Sequence, residues 1–156
     1  MEKDTFDNIQ SAISELVLHI EFARRKDEKI GQLDRSAFRL LTELDESGPM
    51  GINDLADKFQ LDNSTVSRQA AALVSKGYIR RIPDPKDGRI SLLEVTPIGH
   101  DIFHEVRIAR KELYRDLLAD WPENDCKQFE EYLIRLNKSI TVLVQQRVAN
   151  EKDKHQ

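Results

Sequence analysis

Near the start of the chain the apolar positions fall three and four residues apart. Phe6, Ile9, Ile13, Leu16, Val17 and Ile20 repeat with the period of one helix face, which predicts an amphipathic helix over roughly residues 5–29. Gly31 and Asp34 then read as a stop and a fresh N-cap. Ala37, Phe38, Leu41 and Leu44 give a second helix, closed by Ser47-Gly48-Pro49. Asn53 is the expected cap of a third, with Ile52, Leu55, Ala56 and Phe59 on its buried side. Asp62 is the expected cap of a fourth that runs to about Lys76 and stops at Gly77.

After Gly77 the period changes. Residues 78–82 and 89–96 are rich in strand-forming side chains and flank Pro83-Asp84-Pro85-Lys86-Asp87-Gly88, which predicts a hairpin with a stiff loop. Pro97 opens a fifth helix carried by Ile98, Ile102, Val106, Ala109, Leu113 and Leu117. Trp121-Pro122 breaks it. Phe129, Leu133, Leu136, Ile140 and Leu143 carry a sixth, before a charged tail at 151–156 that is expected to be disordered. The fold class is therefore mainly α with one small β-hairpin. Its long terminal helices carry apolar stripes that need a partner, and the simplest partner is a second copy of the chain.

The fourth helix has an unusual outward face. With Val66 at the origin and steps of about 100°, Ala70, Leu73 and Val74 share its side, while Ser64, Ser75 and Arg68 lie near the opposite pole. Thr65 and Ser67 flank that arc, and Ala71 and Ala72 keep it thin. Short hydroxyls and one arginine on a thin face suit close approach to a DNA major groove. They equally suit a solvated first turn. The short helix before it, the turn at Gln60-Leu61-Asp62 and the hairpin after it make a winged helix-turn-helix and favour the first reading.

Charge sharpens that reading. The net charge of the 156 residues is −4, which by itself speaks against a phosphate ligand. From Asn63 to Arg89, however, Arg68, Lys76, Arg80, Arg81, Lys86 and Arg89 outnumber Asp84 and Asp87, a net +4 that leaves −8 elsewhere. An acidic body repels phosphate everywhere except at such a stretch. No run approaches a membrane span, the N-terminus lacks a signal-peptide pattern, and Cys126 is the single cysteine. A cytoplasmic protein without a disulfide framework is expected.

The segments "STVSR" (64–68), "KGYIRR" (76–81), "DPKDGR" (84–89) and "TPIG" (96–99), at this spacing, resemble the MarR/SlyA family of bacterial transcriptional regulators. The likeness is detailed over residues 52–102, and the flanking helices agree in number and order. It implies a homodimer in which about 34–96 form a winged-helix DNA-binding lobe and about 5–33 and 97–149 the dimerisation helices, within one domain at 1–150. It implies a transcription factor, most often a repressor, that binds a pseudo-palindromic operator and is released by a small, phenolic or lipophilic effector. Carried onto this chain, the recognition helix becomes 63–76, with Ser64, Thr65, Ser67, Arg68 and Gln69 nearest the DNA and Lys76 and Arg81 on its backbone. The wing becomes 83–89, with Lys86, with Asp87 as a brace and with Arg89 at the minor groove. Gly88 stands where the family often has arginine, so the wing tip carries one positive charge fewer.

An effector pocket would lie where the first, second and fifth helices meet, with Phe22, Phe38 and Phe103 as candidate lining; core packing is the competing role for each. His100 and His104, four residues apart, could share a metal, but no third ligand clusters with them and none is expected. Nothing next to Cys126 predicts a reactive thiol. With no phosphate-binding glycine loop and no spaced nucleophile motif, neither an enzyme nor a cofactor is expected. The other class left open is a winged-helix module for protein contact without DNA affinity.

Overall fold

The computed structural model describes residues 2–156. Helix α1 spans Thr5–Lys26 and a 3-10 turn covers Ile30–Gln32; α2 (Arg35–Ser47), α3 (Ile52–Phe59) and α4 (Asn63–Ser75) follow. Strands β1 (Ile79–Pro83) and β2 (Ser91–Val95) form an antiparallel hairpin, and α5 (Pro97–Leu117) and α6 (Glu123–Lys154) complete the order. The winged-helix architecture that the pattern predicts is the one observed.

The chain divides into two compact units, Met1–Glu112 and Leu113–Gln156. In the first, one apolar core joins α2, α3, α4, the hairpin and the first turns of α5. Leu40, Leu41, Leu55, Val66 and Val106 have no exposed surface, and Leu93 retains almost none. Burying each such side chain is worth about 1.5–3 kcal/mol, so this core fixes the helix-turn-helix. Met50 and Leu93 exchange backbone hydrogen bonds of 3.2 and 2.8 Å, which ties the α2–α3 connection to β2 as a single-bridge third strand. Beneath it, Glu43 is buried with 8% exposure. It accepts from Lys58 Nζ at 2.5 Å and Ser47 Oγ at 2.7 Å, and the lysine contact, followed by the serine, holds its carboxyl below the ordinary value.

The root of the hairpin is unusually tight. Gly77 has φ 78°, a left-handed conformation that favours glycine. Its amide returns to Val74 O at 3.0 Å and that of Tyr78 to Leu73 O at 3.0 Å, closing α4. The Thr96 hydroxyl donates to Gly77 O at 2.5 Å and accepts from the Gly99 amide at 3.0 Å, capping α5 while binding it to the end of α4. A Cβ at Gly99 would lie 1.9 Å from Tyr78 O, so only glycine lets α5 start this close to the hairpin.

Four boundaries depart from the sequence reading. α1 stops at Lys26 rather than about 29, because the Asp27 carboxylate accepts from the amides of Lys29 and Ile30, both at 3.0 Å, and draws the chain out of the helix. α3 is capped by Gly51, not Asn53, because the half-buried Ile52 already belongs to its first turn. β2 begins at Ser91 rather than 89, because the amides of Asp84 and Ile90 bond to Ile90 O and Asp87 O inside the loop. The tail expected to be disordered is helical to Lys154: no Pro or Gly interrupts α6, and Lys152 and Lys154 complement its C-terminal dipole.

The second unit holds the last turn of α5 and α6, which at 32 residues is about 48 Å long. Trp121 and Phe129 pack with ring centroids 5.3 Å apart. No residue of α6 is buried, and Leu133, Leu136, Ile140 and Leu143 are exposed along it. α1, in the first unit, likewise buries none of its residues and exposes Phe6, Ile9, Ile13, Leu16 and Val17. No helix among the described residues is long and apolar enough to cross a membrane.

Candidate nucleic-acid interface

The turn into α4 is rigid. Gln60 closes α3 in the left-handed region at φ 54°, held by its own Nε2 donating to Asp57 O at 2.6 Å. Asp62 then caps α4: its carboxylate accepts from the Thr65 amide at 2.7 Å and the Ser64 hydroxyl at 2.8 Å. The Thr65 hydroxyl and amide, followed by the Ser64 hydroxyl, hold the Asp62 carboxyl down to about 2. Asn63 Nδ2 donates to Asn53 Oδ1 at 2.6 Å, which fastens the N-termini of α3 and α4 together. Sequence reasoning missed that link, because it assigned Asn53 to a cap.

Along α4 the predicted residues separate into two groups. Ser64, Ser67 and Arg68 are exposed and Thr65 half-buried, and Arg68 Nη2 reaches the Thr65 hydroxyl at 3.4 Å. Two others depart from the expected face. Gln69 is half-buried, about 60° from the core residue Val66, and its Oε1 is enclosed without a hydrogen-bond partner. Lys76 caps the C-terminus, about 20 Å along the helix from Asn63, where its charge lies near Asp34. The positive stretch read from the sequence is thus spread over both ends of α4.

The wing sorts its own charges. Arg80 and Glu94 are paired across the strands, and Arg80 Nε donates to Glu94 Oε2 at 2.7 Å. Arg81 faces the other side of the ribbon and is exposed. The Glu94 contact thus engages Arg80 on one face of the ribbon and leaves Arg81 as the exposed arginine on the other. At the loop, Asp87 accepts from the Arg89 amide at 3.1 Å and holds the guanidinium bidentately at 3.0 and 3.1 Å. The Arg89 side chain, followed by its amide, keeps the Asp87 carboxyl below its ordinary value. Arg89 remains 91% exposed, so the brace orients it without hiding it. Lys86 and Gly88 are exposed beside it.

The three candidate phenylalanines fall into two settings. Phe38 and Phe103 pack at 5.4 Å between centroids, with the Arg110 guanidinium 3.8 Å above Phe38. Phe22 is exposed under Lys26. A depression of about 320 Å³ in the first unit has a charged rim: Glu21, Arg24, Arg25, Asp34, Arg35 and Arg110 line it with Ile30, Gly31 and Leu33. Glu21 pairs there with Arg24 at 3.1 Å and Arg35 at 4.0 Å. His100 turns its Nδ1 to Asp45 at 3.2 Å, and among the described residues no three His, Cys, Asp or Glu are grouped to hold a metal.

Comparison with known proteins places this geometry. The model of the MarR family matches residues 33–91, the span from the core residue Leu33 to the start of β2. The uncharacterized HTH-type transcriptional regulator YxaD of Bacillus subtilis (strain 168) is 37% identical over 132 residues, covering 85% of this chain and 92% of that one. Among solved structures, a MarR family protein from Bacillus stearothermophilus superposes with a TM-score of 0.78 at 20% identity, over 90% of this chain and 99% of that one. The PcaV transcriptional regulator from Streptomyces coelicolor, solved in complex with its natural ligand, superposes with a TM-score of 0.67 at 17% identity, over 90% and 99%.

Proposed function

Because the chain belongs to the MarR family, we propose that it is a DNA-binding transcriptional regulator that acts as a homodimeric repressor, with α4 in the major groove and the 83–89 wing at the minor groove. The observation that carries this reading is the pairing of two surfaces in one rigid unit. One is the thin hydroxyl-and-arginine face of α4; the other is the wing, with Lys86 and a braced, exposed Arg89. The contact set is Ser64, Thr65, Ser67 and Arg68 in the groove, with Arg81, Lys86 and Arg89 on phosphate and the minor groove. Lys76, at the far end of α4, leaves that set. A dimer follows from the unburied apolar stripes of α1 and α6. Two α4 helices related by a two-fold axis then read an inverted repeat with half-sites about 34 Å apart.

Polarisation binding to the DNA upstream of the chain's own gene, titrated with salt, tests this. Arg68→Ala should cost about 1–3 kcal/mol and relax base preference, while Lys86→Ala weakens all sequences alike and flattens the salt slope. Binding that ignores both sequence and salt would favour a protein-contact module instead. The effector is an organic anion, a small carboxylate, rather than a neutral phenol. The supporting observation is the cleft lined by four arginines against Glu21 and Asp34. Aromatic carboxylates should raise the melting temperature and weaken operator binding together, and Arg25→Ala should remove both effects.

A further inference from the structure

Gln69 differs from its neighbours on α4. The polar groups at the start of the helix are matched: Asp62 takes the Thr65 amide and Ser64 hydroxyl, and Asn63 binds Asn53. The Gln69 amide oxygen is enclosed and has no partner. Enclosing an acceptor without a hydrogen bond is unfavourable and uncommon in a folded protein. The side chain also sits on a border, between the core side marked by Val66 and Ala70 and the exposed arc of Ser67 and Arg68. From that border, rotation between staggered wells about its own side-chain bonds carries the amide outward without moving the backbone.

We propose that Gln69 is a base-reading side chain stowed against the body of the free protein, which swings out on DNA binding to take adenine beside a guanine read by Arg68. The proposal rests on α4 being the groove helix. A primary amide pairs one donor with one acceptor, and in the major groove only adenine offers a matching acceptor and donor on one base, N7 and the N6 amino group. Guanine presents two acceptors, cytosine one donor, and thymine an acceptor beside a methyl group. The swing gives the enclosed oxygen its missing partner, so the contact relieves an unfavourable state of the free protein as it forms. Consecutive helix residues lie about 1.5 Å apart along the axis, which suits Arg68 and Gln69 to neighbouring base pairs.

The test uses the full chain with randomised inverted-repeat duplexes, followed by competition among duplexes that differ at one base pair per half-site. Wild type should favour adenine over each other base by about tenfold at a position next to the preferred guanine. Gln69→Leu should abolish the adenine preference and leave the guanine preference intact; Gln69→Ala should do the same if leucine disturbs folding. Adenine preference that persists in both variants, or a wild type that selects guanine without adenine, overturns the proposal and leaves α4 as the groove helix. A wild type with no base preference overturns both.

Discussion

At the root of the hairpin polar groups are matched within the fold, whereas at its tip the cations face solvent. Thr96 bonds to Gly77 and Gly99 in one place, and Gly99 lies so close to Tyr78 that no side chain fits. Gly88, at the tip, has no atom within 4 Å of where a Cβ would stand. One glycine exists because space is missing, the other where space is free. The root sets the direction of the wing, and the tip is left to vary in charge.

The sharpest way to break this contrast is Gly99→Ala, which should cost about 3 kcal/mol or more in denaturant unfolding, because backbone rather than a flexible side chain blocks the methyl. Thr96→Val keeps the shape and removes the hydroxyl; with the Gly77 carbonyl and Gly99 amide left short, a loss of about 2 kcal/mol is expected, most of it recovered by Thr96→Ser. Gly88→Arg, in contrast, should leave stability within about 0.5 kcal/mol. It should tighten DNA binding and steepen the salt slope by about one unit. A loss of stability as large as that of Thr96→Val would show that the tip is part of the fold.

Within the hairpin, acid should give the smallest effect, and at the tip rather than the root. The Asp87 carboxyl is held below its ordinary value near 3.8. Its brace on Arg89 is therefore complete above that value and is lost as pH falls through the lowered one. Nitrogen-detected NMR of the Arg89 guanidinium should show no change between pH 7 and 5 and release at lower pH, while the non-titrating Thr96 contacts persist.

Much of this was legible in the sequence. Periodicity gave the element order, and Val66, Ala70 and Leu73 are the buried face of α4 as read. Exposed Ser64, Ser67 and Arg68, and the Asp87 brace on Arg89, also lie as expected. What was not legible depends on contacts distant in sequence. Lys76 counted toward the positive stretch, but charge counting has no record of which end of a helix meets Asp34. Gln69 fell within the polar run, yet a half-buried site differs from an exposed one by less than a turn's rotation. The setting of Phe38 is likewise not legible, because Arg110 stacks on it from α5, a pairing 72 residues long in sequence that no local pattern encodes.

The loop from Asp84 to Ile90 closes on itself. The Asp84 amide bonds to Ile90 O at 2.8 Å, the Lys86 amide to the Asp84 carboxylate at 2.9 Å, and the Ile90 amide to Asp87 O at 3.0 Å. Such a segment is a cassette: its conformation is specified by its own seven residues, and its ends plug into a ribbon whose register is fixed elsewhere. Loops of other charge or length can be exchanged there without retuning the core, which makes the proposed minor-groove contact an interchangeable part in engineering operator affinity.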